Sequence, residues 1–408
     1  MTRVARALGA AIGVLVILAG CAPPPGGAPS SAPDTVAADA VMRIVDEVMA
    51  AEHLRAAIVR VSIDGRELLT RAVGESMTGV PATPAMHFRN GAVAISYVAT
   101  LLLRLVERGE VRLDDKLSTW LPDTPHADRV TLEQLARMTS GYVDYVIGNA
   151  AFEAAFYRDP FRQWEPDELL GFATSKPLLY EPGTNWNYAH TNYVLLGKAL
   201  EKATGEDMPT LLSEEVLTPL GLTATANSFT PEIPAPALHA FTSERRQALG
   251  IAGGTPFYEE STFWNPSWTI THGAIQTTTV YDMEATAVGI GSGRLLSKES
   301  HDRMVSTELR GRTRAQPGCA TCAPMTDGYT YGMGIVISGD WLLQNPMFAG
   351  QSAVAAYLPA KRIAIAVAVT YAPEAFGPEG DYVNAAQVLF RRIGAQVAPD
   401  DAPPVPPR

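Results

Sequence analysis

The stretch FRNGAVAISYVATLLLRLVERG occupies residues 88–109. From Gly91 to Arg108 its apolar residues fall on every side of a helical wheel, which predicts a long helix buried all round and stopped by Gly109. Such a helix needs a large body around it, and the flanking sequence supplies one. Upstream, residues 40–53 are amphipathic, with Ile44, Val45, Val48 and Met49 on one face, and predict a covering helix. Residues 57–62 and 67–73 read as strands joined by an Asp64-Gly65 hairpin turn. Downstream, Thr131-Leu132-Glu133-Gln134 matches a capping box, and residues 191–204 predict a helix with Gly205 as C-terminal cap. Residues 140–300 alternate short helices with loops rich in Pro, Gly and Asn. The end changes character: 331–338, 353–358 and 362–370 are apolar, β-rich runs, and 382–393 is a closing helix. Strands at both ends with helices between predict an α+β fold, an antiparallel sheet flanked by terminal helices and carrying a large all-helical insertion.

Composition agrees with a folded body. Of 408 residues, 47% are hydrophobic and 18% charged, a globular profile rather than a disordered or fibrous one. The 32 basic and 43 acidic residues give a formal charge of -11, the wrong sign for a nucleic-acid binder. Three cysteines are too few for a disulfide scaffold.

The amino terminus reads as an address. Arg3 and Arg6 precede an apolar run, residues 7–20, too short to cross a bilayer comfortably but suited to a signal peptide. The run ends Leu18-Ala19-Gly20-Cys21, which resembles the lipobox of bacterial lipoproteins. That resemblance implies cleavage before Cys21 and acylation of Cys21, including palmitate-like chains. The mature protein is then anchored to the cell membrane of a bacterium on its extracytoplasmic side. Residues 21–39 form a Pro/Gly/Ser-rich linker, 40–396 the folded domain, and 397–408 a flexible Pro-rich tail. Within the domain the sheet region falls near 40–75 and 328–396, and the helical region near 88–310.

Phe88-Arg89-Asn90-Gly91, residues 135–141 (LARMTSG), Glu181-Pro182-Gly183-Thr184 and Tyr331-Gly332-Met333-Gly334, taken in order, resemble the serine β-lactamase and penicillin-binding-protein family, in particular its class C and D,D-peptidase-like branch. Phe88-Arg89-Asn90-Gly91, Leu113-Asp114-Asp115 and Trp120-Leu121-Pro122 look like its first block. Residues 135–141 (LARMTSG), Glu181-Pro182-Gly183-Thr184, residues 192–197 (NYVLLG) and Pro219-Leu220-Gly221-Leu222 resemble the next ones. Tyr331-Gly332-Met333-Gly334 and residues 350–359 resemble the final strands. The resemblance covers residues 40–395 and implies a β-lactamase/transpeptidase-like architecture with its site between sheet and helical region.

The family works through an acyl-enzyme. A Ser-x-x-Lys pair on one helix face supplies nucleophile and base. A Tyr-x-Asn or Ser-x-Asn element adds an acid/base group, and a Lys/His-x-Gly strand binds the substrate carboxylate. Here the resemblance puts Ala92 at the serine position and Ile95 at the lysine position. A shifted frame does not rescue the motif. Lys116, Lys176, Lys198, Lys202, Lys298 and Lys361 are preceded at that distance by Leu113, Ala173, Leu195, Ala199, Leu295 and Leu358. The second element reads Tyr188-Ala189-His190, and the third falls at Gln344-Asn345-Pro346, with cation and glycine gone. Loss of a nucleophile typically costs about 10^6-fold in kcat.

A rebuilt site is the competing expectation. Ser96 lies one helical turn beyond Ala92, and a Ser96–His190 dyad assisted by Tyr188 would again be a nucleophile with its base. The plainer expectation is that Ser96 bonds back to a helix carbonyl. Ser140 occupies a structural turn in the resembled family. The 7 histidines (His53, His87, His126, His190, His239, His272, His301) are scattered without a ligand-pair spacing, so no metal and no cofactor is expected. His272 precedes Gly273-Ala274 in a segment resembling a cleft-side loop, which makes it a ligand-cleft candidate with Tyr188 and His190. Cys319 and Cys322, in an extracytoplasmic protein, are expected to form a local disulfide.

Three functions follow as expectations. The first is a pseudoenzyme, an envelope lipoprotein that binds or senses a ligand such as peptidoglycan stem peptide without turnover. The second is a serine hydrolase of β-lactamase, D,D-carboxypeptidase or esterase type with a rebuilt site. The third is a scaffold that docks another envelope protein.

Overall fold

Asp64 and Gly65 sit at φ 52° and 73°, the pair of left-handed residues that a tight hairpin turn demands. They join β1 (Leu54–Ile63) to β2 (Arg66–Met77) in a computed structural model that describes residues 32–227, 230–270 and 276–405. The first of these segments opens with α1 (Ala32–Ala51), and α2 (Val93–Glu107) follows the hairpin. The helical region includes α3 (Ala150–Arg158), α4 (His190–Thr204) and α5 (Val280–Gly291). The chain returns to the sheet through β3 (Val336–Ser338), β4 (Trp341–Gln344), β5 (Gln351–Leu358) and β6 (Ile363–Tyr371), then closes with α6 (Ala385–Val397).

The main sheet has 9 strands, in the order Val80–Pro81, β2, β1, β6, β5, β4, β3 and Thr330–Tyr331, with Met347–Phe348 paired to β5. All its pairings are antiparallel. First and last strands lie side by side, because β1 pairs with β6 from Leu54↔Tyr371 to Ile63↔Ile363. Both central strands β5 and β6 are buried along their whole length, which explains their unbroken apolar sequence.

Register shows that the sheet is covered on both faces. Ser62, Ala364 and Tyr357 are neighbours across β1, β6 and β5. On that face Ser62 donates to Glu284 of α5, and Tyr357 packs against Gly291 at the end of α5. Trp341 precedes Leu342, the partner of Tyr357, so it points to the opposite face, where it meets Phe390 of α6 edge-on at 5.3 Å. α2 runs through the core, buried from Val93 to Leu103.

The structure departs from expectation in several places. Residues 21–31 of the expected linker lie outside the described residues, but by Ala32 the chain is already helical, so α1 begins well before residue 40. The tail is not a loose end as far as Val405: a turn at Pro399–Asp401 lets Trp341 Nε1 donate to the Asp401 carbonyl (2.7 Å), while Pro403 and Pro404 pack over Gly394 and Gly339. Proline there shapes a strap rather than a linker. The run 331–338 is not one strand but two short antiparallel strands around Gly332-Met333-Gly334, since Gly334 turns at φ 63°. β4 was not expected, because a short apolar run such as WLLQ carries no periodicity. The capping box at Thr131 and Gln134 is formed, and Gly205 caps α4 at φ 79°.

Candidate active-site cleft

α2 begins where sheet and helical region meet. Asn90 is pinned by a reciprocal pair with Gln276, its Nδ2 donating to Oε1 (3.2 Å) and its Oδ1 accepting from the Gln276 N–H (3.1 Å). Gly91 turns at φ 53°, and any Cβ there would lie 2.5 Å from Pro346, so only glycine fits. Ala92 then stands at the helix entrance with no side-chain cap, and its methyl faces an open cleft.

That cleft, about 310 Å³, is lined by Ala92, Tyr188, His190, Gln344 and the aromatic wall of Trp268 and Phe348. The four positions that the sequence resemblance singled out in separate segments therefore converge in one place. Ile95 does not share the opening: it is 1% exposed and belongs to the core. Among the described lining residues there is no serine, cysteine, lysine or arginine. The one hydroxyl of an aliphatic side chain, that of Thr269, donates to the Pro266 carbonyl (2.7 Å).

Ser96 and His190 are not brought together as a dyad. Ser96 is 2% exposed, its Oγ donates to the Val93 carbonyl at 2.6 Å, and it borders a separate void of about 10 Å³ beside Gly291 and Leu343. One turn along a helix keeps the face but moves the side chain into the core. Ser140 donates to Asn192 Oδ1 (2.5 Å) and accepts from the Tyr142 N–H (3.1 Å), so it holds a turn. His272 lies outside the described residues, as do Cys21, Arg3 and Arg6.

His190 opens α4, and its partner is Asp144. The imidazole Nδ1 lies 3.2 Å from both carboxylate oxygens, and the His190 N–H donates to Oδ1 at 2.9 Å. Asp144 is 4% exposed and also accepts from the N–H groups of Val146 (3.2 Å) and Ile147 (3.0 Å). A carboxylate so held directs Nδ1–H inward and leaves Nε2 as the free ring nitrogen. Nothing in the spacing of Gly141-Tyr142-Val143-Asp144 announces this role, and sequence reasoning missed it.

Tyr188 meets His190 edge-on with ring centroids 5.3 Å apart. Burial pushes its phenol above the ordinary range, and neighbouring Tyr329 and Asp144 add to the shift, so it acts as a hydrogen-bonding group in its protonated form. Its backbone carbonyl accepts from Thr321 (3.0 Å), between Cys319 and Cys322, which are disulfide-bonded. Gln344 Nε2 donates to the Gly334 carbonyl (2.6 Å), so the amide braces the strand turn. The other described histidines lie away from the cleft: His239 faces Glu260 (2.5 Å), and His301 packs on Gly293, its pKa lowered chiefly by burial. Among the described residues no group of three or more side chains is arranged to hold a metal ion.

The chain has relatives among known proteins. The chain is 31% identical over 183 residues to penicillin-binding protein 4 of Amycolatopsis lactamdurans, covering 43% of this chain and 46% of that one. It is 32% identical over 191 residues to esterase EstB of Burkholderia gladioli, covering 44% and 48%. The chain thus spans about half the length of the curated relatives it matches. Among solved structures, a D-amino acid amidase from Ochrobactrum anthropi SV3 superposes with TM-score 0.72 at 20% identity, over 89% of this chain and 99% of that one. A D-stereospecific amidohydrolase from a Streptomyces species superposes with TM-score 0.70 at 23% identity, over 86% and 98%. At such identities the structures speak for the fold alone. The Beta-lactamase family model matches residues 41–390, nearly the whole described body, and the chain belongs to that family.

Proposed function

We propose that this chain is a binding member of its family, taking an envelope ligand such as peptidoglycan stem peptide into the cleft without forming an acyl-enzyme. The observation that carries the reading is that Ala92, whose side chain is a methyl group, lines the cleft together with Tyr188 and His190. By the family resemblance that is the place of the nucleophile, and the place of its lysine is filled by buried Ile95. A methyl group can neither attack a carbonyl nor hold an acyl group. Fluorescent penicillin is the test: no band should survive denaturation, whereas a covalent band would overturn the reading. The same proposal anchors the protein outside the cytoplasmic membrane through Cys21. Incorporation of a clickable palmitate analogue, lost in Cys21→Ala, checks that part.

A second reading has its own support. His190 in the cleft, with buried Asp144 on its Nδ1, has the arrangement of a base with its orienter. Relatives by name include an esterase, a penicillin-binding protein and a D-alanyl-D-alanine carboxypeptidase/endopeptidase. In this reading His190 takes a proton from water, which attacks an ester or amide carbonyl directly, and the leaving group departs with the proton. Turnover of p-nitrophenyl acetate or D-phenylalanine amide that disappears in His190→Ala would favour it. Absence of turnover leaves the binding reading in place.

A further inference from the structure

The cleft does not end at Phe348. Val146, Ile147, Trp268 and Phe348 also line a second compartment of about 210 Å³, walled by Phe152 and Phe156. Glu153, Tyr157 and Glu244 carry that compartment into a third of about 680 Å³, where Glu379 and Asp381 form the far side. Met347 borders the first and the third, so the three compartments adjoin as sections of a groove divided by shared side chains.

The groove is graded in chemistry. Its middle is aromatic: Phe152 lies 5.9 Å from Trp268, and Phe156 5.0 Å from the same ring. Its outer end is acidic, with exposed Glu153, Glu379 and Asp381 along the lining. Among the described residues no lysine or arginine lines any of the three compartments. Arg245, next to Glu244 in the chain, is committed to Glu259 at 2.7 Å. Glu153, Glu379 and Asp381 are exposed at the mouth and form no ion pair with another described residue.

We infer that the groove takes an elongated ligand with an aromatic or aliphatic body and a terminal ammonium group, and that it discriminates against carboxylates. The body fills the aromatic middle, where burial and ring contacts favour it. The ammonium reaches the carboxylates at the mouth, with aromatic faces behind it. An anionic group brought to that end meets like charge with no compensating cation. The inference rests on the binding reading and states which end of an envelope ligand would enter that compartment.

Isothermal titration of the purified full chain with 4-phenylbutylamine, 4-phenylbutanol and 4-phenylbutyrate tests it at low salt. The amine is expected to bind most tightly and the carboxylate most weakly, by at least about tenfold between the two. Raising the salt concentration should narrow that gap. The triple variant Glu153→Gln, Glu379→Gln, Asp381→Asn should bring the amine to the level of the alcohol and leave the alcohol unchanged, which also reports that the variant is folded. Equal or tighter binding of the carboxylate, no binding of any of the three, or a charge preference that survives the triple variant overturns the inference. Any of these without a penicillin adduct leaves the non-acylating reading standing, so the two failures are distinct.

Discussion

The Nδ1 atom of His190 lies 3.2 Å from both carboxylate oxygens of Asp144, which also receive the His190 backbone N–H at the entrance to α4. One buried carboxylate therefore orients the cleft imidazole and satisfies an orphan donor at a helix start. Asp144 takes two further N–H groups, from Val146 and Ile147, and so fixes the loop that forms the cleft wall.

Removing that carboxylate leaves three backbone donors without their acceptor. Asp144→Ala is expected to destabilise the chain by about 2–4 kcal/mol, read from urea unfolding. His190→Ala keeps the three backbone bonds, removes the ring bond and the ring contacts with Tyr145, Tyr188 and Trp268, and should cost less than Asp144→Ala. Equal losses for the two would mean that the backbone bonds to Asp144 contribute nothing.

Position 92 opens to the cleft and position 95 does not, which cysteine substitution makes measurable. Ala92→Cys should react with iodoacetamide under native conditions, since its side chain lines the cleft. Ile95→Cys, at a position 1% exposed, should react only after unfolding. Cys319 and Cys322 are disulfide-bonded, and Cys21→Ala in both variants removes the remaining thiol, which leaves a low background. Rapid native labelling at 95 would place the helix in a different rotation.

Much of this body was legible in the sequence because its periodicities are strong. The hairpin at Asp64-Gly65, the capping box at Thr131 and the Gly205 cap each have a local cause that survives any tertiary context. The convergence of Ala92, Tyr188, His190 and Gln344 was reached through resemblance, not through local pattern. Asp144 was invisible, because a loop aspartate looks the same whether it is solvated or buried under a helix start. The strap after residue 397 was misread for a related reason: Pro-rich composition marks the absence of regular structure, not the absence of packing. Ser96 shows the limit of helical spacing, which gives the face of a side chain but not whether that face opens to a cavity.

Gly350 holds the turn between the cleft wall and β5. It sits at φ 72°, and a Cβ there would lie 1.8 Å from the Phe241 carbonyl oxygen, with no flexible atom to yield. Gly350→Ala therefore combines backbone strain with a collision and should cost about 3 kcal/mol or more. Because Met347 and Phe348 precede it on the wall, ligand affinity should fall as well. A loss of under about 1 kcal/mol in chemical denaturation would mean that the Phe241 strand yields freely.

Glu244 gives the groove a pH signature. Burial raises its pKa, and Glu259 adds to the shift; the Tyr382 hydroxyl and the N–H groups of Gly350 and Ala349 oppose it, and the net direction is upward. The native carboxyl thus keeps its proton at pH values where the unfolded chain has released it. More protons on the native state means that stability falls as pH rises through the window between the ordinary carboxylate value and the raised native one. Below the ordinary value the contribution is fully present. Glu244→Gln removes this dependence while keeping a side chain that can accept from Tyr382. In urea unfolding from about pH 4 to about pH 7, the wild type should lose stability relative to the variant as pH rises. A constant difference across that range, or one of opposite slope, would show that the carboxyl is not protonated in the native groove.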